Sequence, residues 1–343
     1  MKKSRTIIGL LLVAVMAATL IIGGCGGSDA KKPAEGPKKL RLGWVVAYQD
    51  DHPYTVAAVT FAKTVKEKSK GKIEFDLFPG GQLGGDRDMF EAIQLGTLDA
   101  GVISAPVVSA FTKVLVGTDM PYIFNNDYDL LYRAEQGEPG KKLLKRLEQE
   151  TKVKALTFTY QPFRHFHTTK EIKNLADMKG MKIRAMQSPI HMDIFRALGA
   201  NPTPIPYTEV YTSMQTGTID GFESDVIGSN ASKFYDVTKY ITISGHFNNA
   251  VILVMSPKTW DKLSPEDQKI MQEAAEEAAK ASLAITKTAN DKYMQVMKDK
   301  GVKINTIDAN EYVQAVKPVI EKYSKEIPEV KEFVDAVRAM QKK

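Results

Sequence analysis

The chain has 343 residues, with 47 lysines and arginines against 41 aspartates and glutamates, 43% apolar residues and a single cysteine. Three of the cations lie within the first five positions, and the remaining 44 are scattered among the acids. They form no basic stripe with interleaved aromatic residues, which excludes a nucleic-acid footprint, and one cysteine excludes an internal disulfide framework.

At the N-terminus, Lys2, Lys3 and Arg5 precede an uncharged apolar run from Thr6 to Ile22, the layout of a secretory signal. The run falls short of the roughly 20 residues that a bilayer needs and ends on Gly23 and Gly24, which argues against a permanent transmembrane helix. Cys25 follows directly, and Ile22-Gly23-Gly24-Cys25 resembles the bacterial lipobox, whose thiol is acylated and becomes the first residue of the mature chain. The expectation is a signal peptide over 1–24, then a lipidated Cys25 and a polar tether over 25–37 that anchors the protein to the membrane on its extracytoplasmic side.

From 38 onward, short β-type runs alternate with longer helical patterns, which predicts an α/β fold. Strands are expected at 40–47, 73–78, 100–104 and 154–160, with helices at 54–69, 88–95 and 137–151. A second series after Pro162 gives strands at 182–186 and 221–224 and helices at 189–198 and 207–216. One phrase recurs: Gln94-Leu95-Gly96-Thr97-Leu98-Asp99 and Gln215-Thr216-Gly217-Thr218-Ile219-Asp220 share Gln-x-Gly-Thr-x-Asp. Gly96 and Gly217 suit the left-handed residue that ends a helix, and Thr-x-Asp then turns the chain into a strand. The repeat predicts two similarly built lobes, 38–161 with 250–289 and 162–249 with 290–343, facing one another across a cleft. From the helix cap Ser264 to Lys300 the pattern is helical almost without a break. At about 1.5 Å per residue such a helix runs about 50 Å and spans both lobes, unless it divides in two near 286–290.

Little in the sequence points to catalysis. Pro79-Gly80-Gly81-Gln82-Leu83-Gly84-Gly85 lacks the Gly-Lys-Ser/Thr ending of a phosphate loop and the spacing of a dinucleotide fingerprint, and reads as a turn into a helix. His165 and His167 share a strand face without a Cys or carboxylate cluster beside them, so no metal or other cofactor is expected. Asp220, Glu223 and Asp225 have no partner at a spacing that suits acid–base work. Arg184 is different. In Met181-Lys182-Ile183-Arg184-Ala185-Met186 its side chain shares neither Ile183's nor Ala185's face, and its planar fork of donors matches a carboxylate.

Asp177 to Arg184, Leu198 to Pro204, Thr208 to Tyr211 and Gln215 to Glu223 together resemble the DctP-type extracytoplasmic receptors of TRAP transporters. Gly81 to Gly84, Gly96 to Asp99, Met120 to Phe124 and Arg164 ahead of Thr168 follow in the family's order and approximate spacing, so the resemblance covers the chain from Leu40 onward. It implies a two-lobed clamp of the periplasmic-binding-protein type that closes on a small carboxylate, a sugar acid or C4-dicarboxylate, and delivers it to TRAP membrane subunits. Arg184 takes the place of the arginine that pairs with the substrate carboxylate, and Arg164 that of a second arginine holding the anion. Ser224 stands where sugar-acid-binding members often carry Asn, and Asp86, Arg87, Ser104 and Tyr207 fall where related receptors place further pocket groups. The rival expectations are an envelope enzyme acting on an acidic substrate, which would depend on His165, His167 or Glu223, and a binding protein serving a sensor or another transporter class.

Overall fold

The computed structural model describes residues 38–341, so the expected signal peptide, Cys25 and tether lie outside the described residues. Eleven strands form two sheets among them. The first has the order β2 (Ile73–Phe78), β1 (Lys38–Trp44), β3 (Ala100–Ser104), β10 (Val251–Met255) and β4 (Lys154–Thr159). The second has the order β11 (Lys303–Thr306), β9 (Tyr240–Ile243), β5 (His165–Thr168), β8 (Gly221–Ser224), β6 (Lys182–Ala185) and β7 (Asn201–Pro204). Each contains a parallel trio, β2-β1-β3 or β7-β6-β8, followed by an antiparallel strand that has crossed over from the other half of the chain, β10 or β5.

The repeated phrase sits at the same place in both trios. α2 (Asp86–Leu95) ends on Gly96 at φ 75°, and α7 (Val210–Gln215) is followed by Gly217 at φ 69°, the left-handed conformation in which a Cβ is penalised. The aspartate that closes each phrase then ties the turn to the neighbouring strand. Asp99 Oδ2 accepts from the Arg41 amide and Asp220 Oδ2 from the Lys182 amide, each at 2.9 Å. The side chains of Arg41 and Lys182 reach back to carbonyls of the same turns, those of Thr97 and Gly217. The phrase is a helix-to-strand staple used twice.

Helices cover the sheets: α1 (Pro53–Lys68), α3 (Ala105–Val108), α4 (Tyr128–Gln136), α5 (Glu138–Thr151), α6 (Pro189–Ala197), α8 (Val226–Ala231) and α9 (Pro257–Trp260). α10 (Pro265–Asp299) is one unbroken helix of 35 residues, about 52 Å long, capped by Ser264 Oγ accepting from the Asp267 amide. Its buried stripe, including Met271, Ala274, Ala278, Ser282, Ala289, Tyr293 and Met297, recurs at helical spacing, and the small residues let α1 pack closely against it. The N-terminal part of α10 meets α1 and β4 and its C-terminal part meets α8 and β11, so it runs along both sheets. α11 (Ala309–Glu326) packs on α6, whereas α12 (Pro328–Gln341) returns to α4 and α5. That last helix departs from the expectation that 290–343 lies wholly with the second sheet; its Val330, Phe333, Val334 and Val337 are buried beside the first. The helix expected at 137–151 is likewise preceded by a separate α4, with Gly137 between them.

Candidate functional site

Two short segments, 160–164 and 244–250, carry the chain between the sheets and bond to one another there. The Arg164 amide donates to the Phe247 carbonyl at 3.0 Å and Asn248 Nδ2 to the Gln161 carbonyl at 2.7 Å. In front of them lies a cleft of about 480 Å³ of space between atoms, part of it open to solvent. Its walls come from both halves: Tyr54, Asp86 and Ser104 on one side, Arg164, Arg184 and Asp225 on the other. The loop after β2 approaches the second half so closely that a Cβ on Gly81 would lie 2.6 Å from Thr208 Cγ2, so the glycine there, at φ 69°, is what allows that approach.

The second-sheet wall is an ion-pair network. Pairing of β5 with β8 brings Arg164, the residue just before β5, beside Glu223 and Asp225. Arg164 Nε donates to Glu223 Oε2, Nη2 donates to the Glu223 carbonyl at 2.7 Å, and Nη1 lies 3.9 Å from Asp225 Oδ2. Burial works against the Arg164 cation, but the two carboxylates outweigh it and its pKa is raised. Burial pushes the Glu223 carboxyl up against the opposing pull of Arg164 and Arg184. Asp225 also caps α8, accepting from the Gly228 amide at 2.8 Å.

Arg184, on β6, is held differently. Its Nε donates to the Ile205 carbonyl at 2.8 Å, while Nη1 stands 3.6 Å from Glu223 Oε1. Both Nη1 and that carboxylate oxygen are buried without a hydrogen-bond partner. Desolvation lowers the Arg184 pKa to about 10, which leaves it cationic at neutral pH. A buried cation with an unused donor facing a cleft is an anion site in waiting, because a buried charge is costly until it is paired and hydrogen-bonded.

The first-sheet wall carries one charge of the opposite sign. Asp86, at the start of α2, accepts from the Ser104 amide at 3.1 Å and is otherwise buried in the cleft wall; burial raises its pKa to about 6, against the pull of Ser104, Arg184 and Arg164. Ser104 Oγ donates to Asn249 Oδ1 at 2.8 Å, which fixes that amide at the crossing segment.

Arg164, Arg184, Asp86, Ser104 and Tyr207 thus meet in one cleft. The Tyr207 hydroxyl, however, is engaged by the Gly228 carbonyl at 3.2 Å and Ser232 Oγ at 2.9 Å. Two expected residues do not join them. Ser224 is buried in β8 on the strand face it shares with Phe222 and lies outside the cleft lining, because a strand turns successive side chains to opposite sides and it is Glu223 that turns toward Arg164 and Arg184. Arg87 is exposed and outside the cleft lining, with its guanidinium carbon 6.0 Å from the Phe111 ring centroid. Tyr54, Gln161, Asp225 and Asn249 also line the cleft, and no sequence motif flagged them as ligand groups. His165 Nδ1 accepts from the Gly245 amide at 3.2 Å, and His167 stacks on Phe222 with Nε2 at 3.1 Å from the Ser224 carbonyl. Desolvation lowers their pKa values to about 4 and about 3, so both are neutral. Among the described residues no group of three His, Cys, Asp or Glu is placed to hold a metal ion, and no helix is long and apolar enough to cross a membrane.

Comparison with known proteins matches residues 45–326 to the family described as bacterial extracellular solute-binding protein, family 7, DctP. The 2,3-diketo-L-gulonate-binding periplasmic protein YiaO of Escherichia coli is 28% identical over 307 residues, covering 89% of this chain and 92% of that one. A TRAP periplasmic solute-binding protein from a Polaromonas species, solved bound to D-erythronate, superposes with a TM-score of 0.84 at 30% identity over 88% of this chain and 98% of that one. One from a Sulfitobacter species, with bound β-D-galacturonate, gives a TM-score of 0.82 at 30% identity over 88% and 100%.

Proposed function

The chain belongs to the DctP family, bacterial extracellular solute-binding proteins of family 7, and from that premise we propose that it captures a hydroxylated monocarboxylic acid, a sugar acid, through Arg184. It is an extracytoplasmic receptor of the TRAP type and not an enzyme; it hands a small organic acid to membrane subunits.

The observation that carries the ligand reading is the unpartnered Nη1 of buried Arg184, facing a cleft whose opposite wall presents the Asp86 carboxylate. Arg184 offers a donor to one carboxylate. Arg164 hydrogen-bonds Glu223 through Nε and Nη2 and so braces the second-sheet wall, while its Nη1, 3.9 Å from Asp225, can serve the same ligand carboxylate as Arg184. Asp86, acceptor-only when ionised, suits ligand hydroxyls and opposes a second carboxylate. That favours a sugar acid over a C4-dicarboxylate, in keeping with the D-erythronate and β-D-galacturonate bound by the two relatives.

We assign 38–161 and 250–289 to one lobe and 162–249 with 290–327 to the other, with α12 on the first. Closure around the ligand excludes water and strengthens each charge-assisted bond, so a transporter docking the closed form reads occupancy from lobe position. We also propose that acylated Cys25 tethers the receptor to the membrane; the layout of residues 1–37 supports this, and Cys25→Ser should release the protein from the membrane fraction. The ligand reading is tested by denaturing protein purified from its own cells and identifying the released small molecule by mass spectrometry. A hydroxylated monocarboxylic acid is expected; a neutral sugar, an amino acid or a dicarboxylic acid would overturn it.

A further inference from the structure

Beyond Val45 and Val46, which line the cleft, the loop between β1 and α1 runs on to the other lobe through Gln49, Asp51 and His52, none of which lines it. Gln49 Oε1 accepts from Asn230 Nδ2 on α8 at 2.8 Å. Gln49 Nε2 donates to Asp51 Oδ1 at 3.0 Å, which also accepts from the Tyr293 hydroxyl at 2.6 Å, and Asp51 Oδ2 accepts from Lys292 Nζ at 2.6 Å. Tyr293 is 6% exposed and packs with Val226, Ile227 and Ile241, so it belongs to the second lobe's core. Burial opposes the Asp51 charge, but the bonds from Lys292, Tyr293 and Gln49 outweigh it and hold the carboxyl below its ordinary range. His52 completes the crossing: its Nδ1 accepts from the Tyr54 amide at 3.1 Å, and its buried Nε2 lies against Gly228, where a Cβ would come within 3.4 Å.

We infer that Gln49, Asp51 and Asn230 form a clasp that sets ligand affinity by holding the two lobes shut, as positioning residues that never touch the ligand. The inference rests on reading the protein as a closing receptor. Asp51 takes bonds from the Gln49 amide, the buried Tyr293 phenol and Lys292, and Gln49 takes one from the Asn230 amide, so the bonds to the Asp51 carboxylate are charge-assisted and directional. Apparent affinity scales with the fraction of molecules in the binding-competent arrangement, and a contact that forms only on closing acts mainly on the rate of ligand escape. The geometry has a second consequence. Asn230 lies on the helix capped by Asp225, beside Arg164, so the clasp registers the position of the wall that faces the ligand.

The test uses purified protein and its Asp51→Asn and Asn230→Ala variants, with D-galacturonate and D-erythronate as probes in stopped-flow dissociation and with small-angle scattering of the ligand-free form. We expect dissociation about 10-fold faster for Asp51→Asn and about 5-fold faster for Asn230→Ala, with association within about 2-fold. The ligand-free radius of gyration should grow in both, and Asp51→Glu should recover part of the lost affinity. Unchanged dissociation and unchanged size in both variants would overturn the clasp, as would an affinity loss that follows a falling unfolding midpoint at unchanged size. If the wild type takes up neither probe, the sugar-acid reading is what fails; the scattering then still decides the clasp, supporting it if the variants expand and overturning it if they do not.

Discussion

The two walls of the cleft are cut from sheets of the same topology and carry opposite chemistry. Both present strand ends of a parallel trio stapled by the same Gln-x-Gly-Thr-x-Asp turn. One wall gathers Arg164, Arg184 and Asp225, with Glu223 buried behind the arginines; the other offers Asp86, Ser104 and Tyr54, with no cation among its described lining residues. The shared staple fixes where strand ends point, and only a few substitutions at those ends decide what each wall recognises. One half grips a charge while the other reads hydroxyls.

The comparison breaks most visibly at Arg164. Replacing it with Ala removes both hydrogen bonds to buried Glu223 and leaves it only Arg184 Nη1 at 3.6 Å, which should cost about 3 kcal/mol of stability, seen as a lower midpoint in denaturant. Pairing the change with Glu223→Gln should recover much of that loss. Arg184→Ala should leave the fold intact and weaken sugar-acid affinity by more than about 100-fold, measured by calorimetry, because the ligand carboxylate loses its paired cation and the Glu223 charge behind it is left to Arg164 alone.

Asp86→Asn sharpens the contrast from the other side. It should raise affinity for a dicarboxylic sugar acid by about 10-fold relative to the matching monocarboxylic one, in competition titrations. Acidification should do the same in the native protein. Asp86 titrates at about 6, above its unfolded value, so the folded state holds the proton more tightly; the penalty of the buried charge is present above that pH and relieved below it. Discrimination against the diacid should therefore shrink as pH falls from about 7.5 to about 5.5, and remain flat in Asp86→Asn. The smallest effect is expected at Ser224→Ala, under about 2-fold in affinity, since its hydroxyl faces away from the cleft.

Much of the fold could be read from local rules. Gly96 and Gly217 cap helices as their left-handed preference requires, Ser264 and the alanine-rich stripe make α10 one helix, and strand alternation sends Arg184 away from Ile183 and Ala185. What escaped depends on register. Whether Glu223 or Ser224 turns to the cleft arginines follows from how β8 pairs with β5, which no single-strand pattern states. Asp225 and Asn249 reach the cleft from a helix cap and a crossing segment, where polar residues have ordinary local explanations. The amphipathic pattern of α12 records that one face is buried, but not which lobe buries it.

The central claim, that Arg184 pairs with the carboxylate of a sugar acid, is tested most directly by a thermal-shift screen of wild type and Arg184→Met against monocarboxylic sugar acids and their neutral parent sugars. At 100 times its dissociation constant a ligand stabilises the wild type by about 2.7 kcal/mol. The account predicts a shift with at least one sugar acid in the wild type, none in the variant, and none with the neutral parents in either. An equal shift in the variant, or a shift with neutral sugars alone, would contradict it.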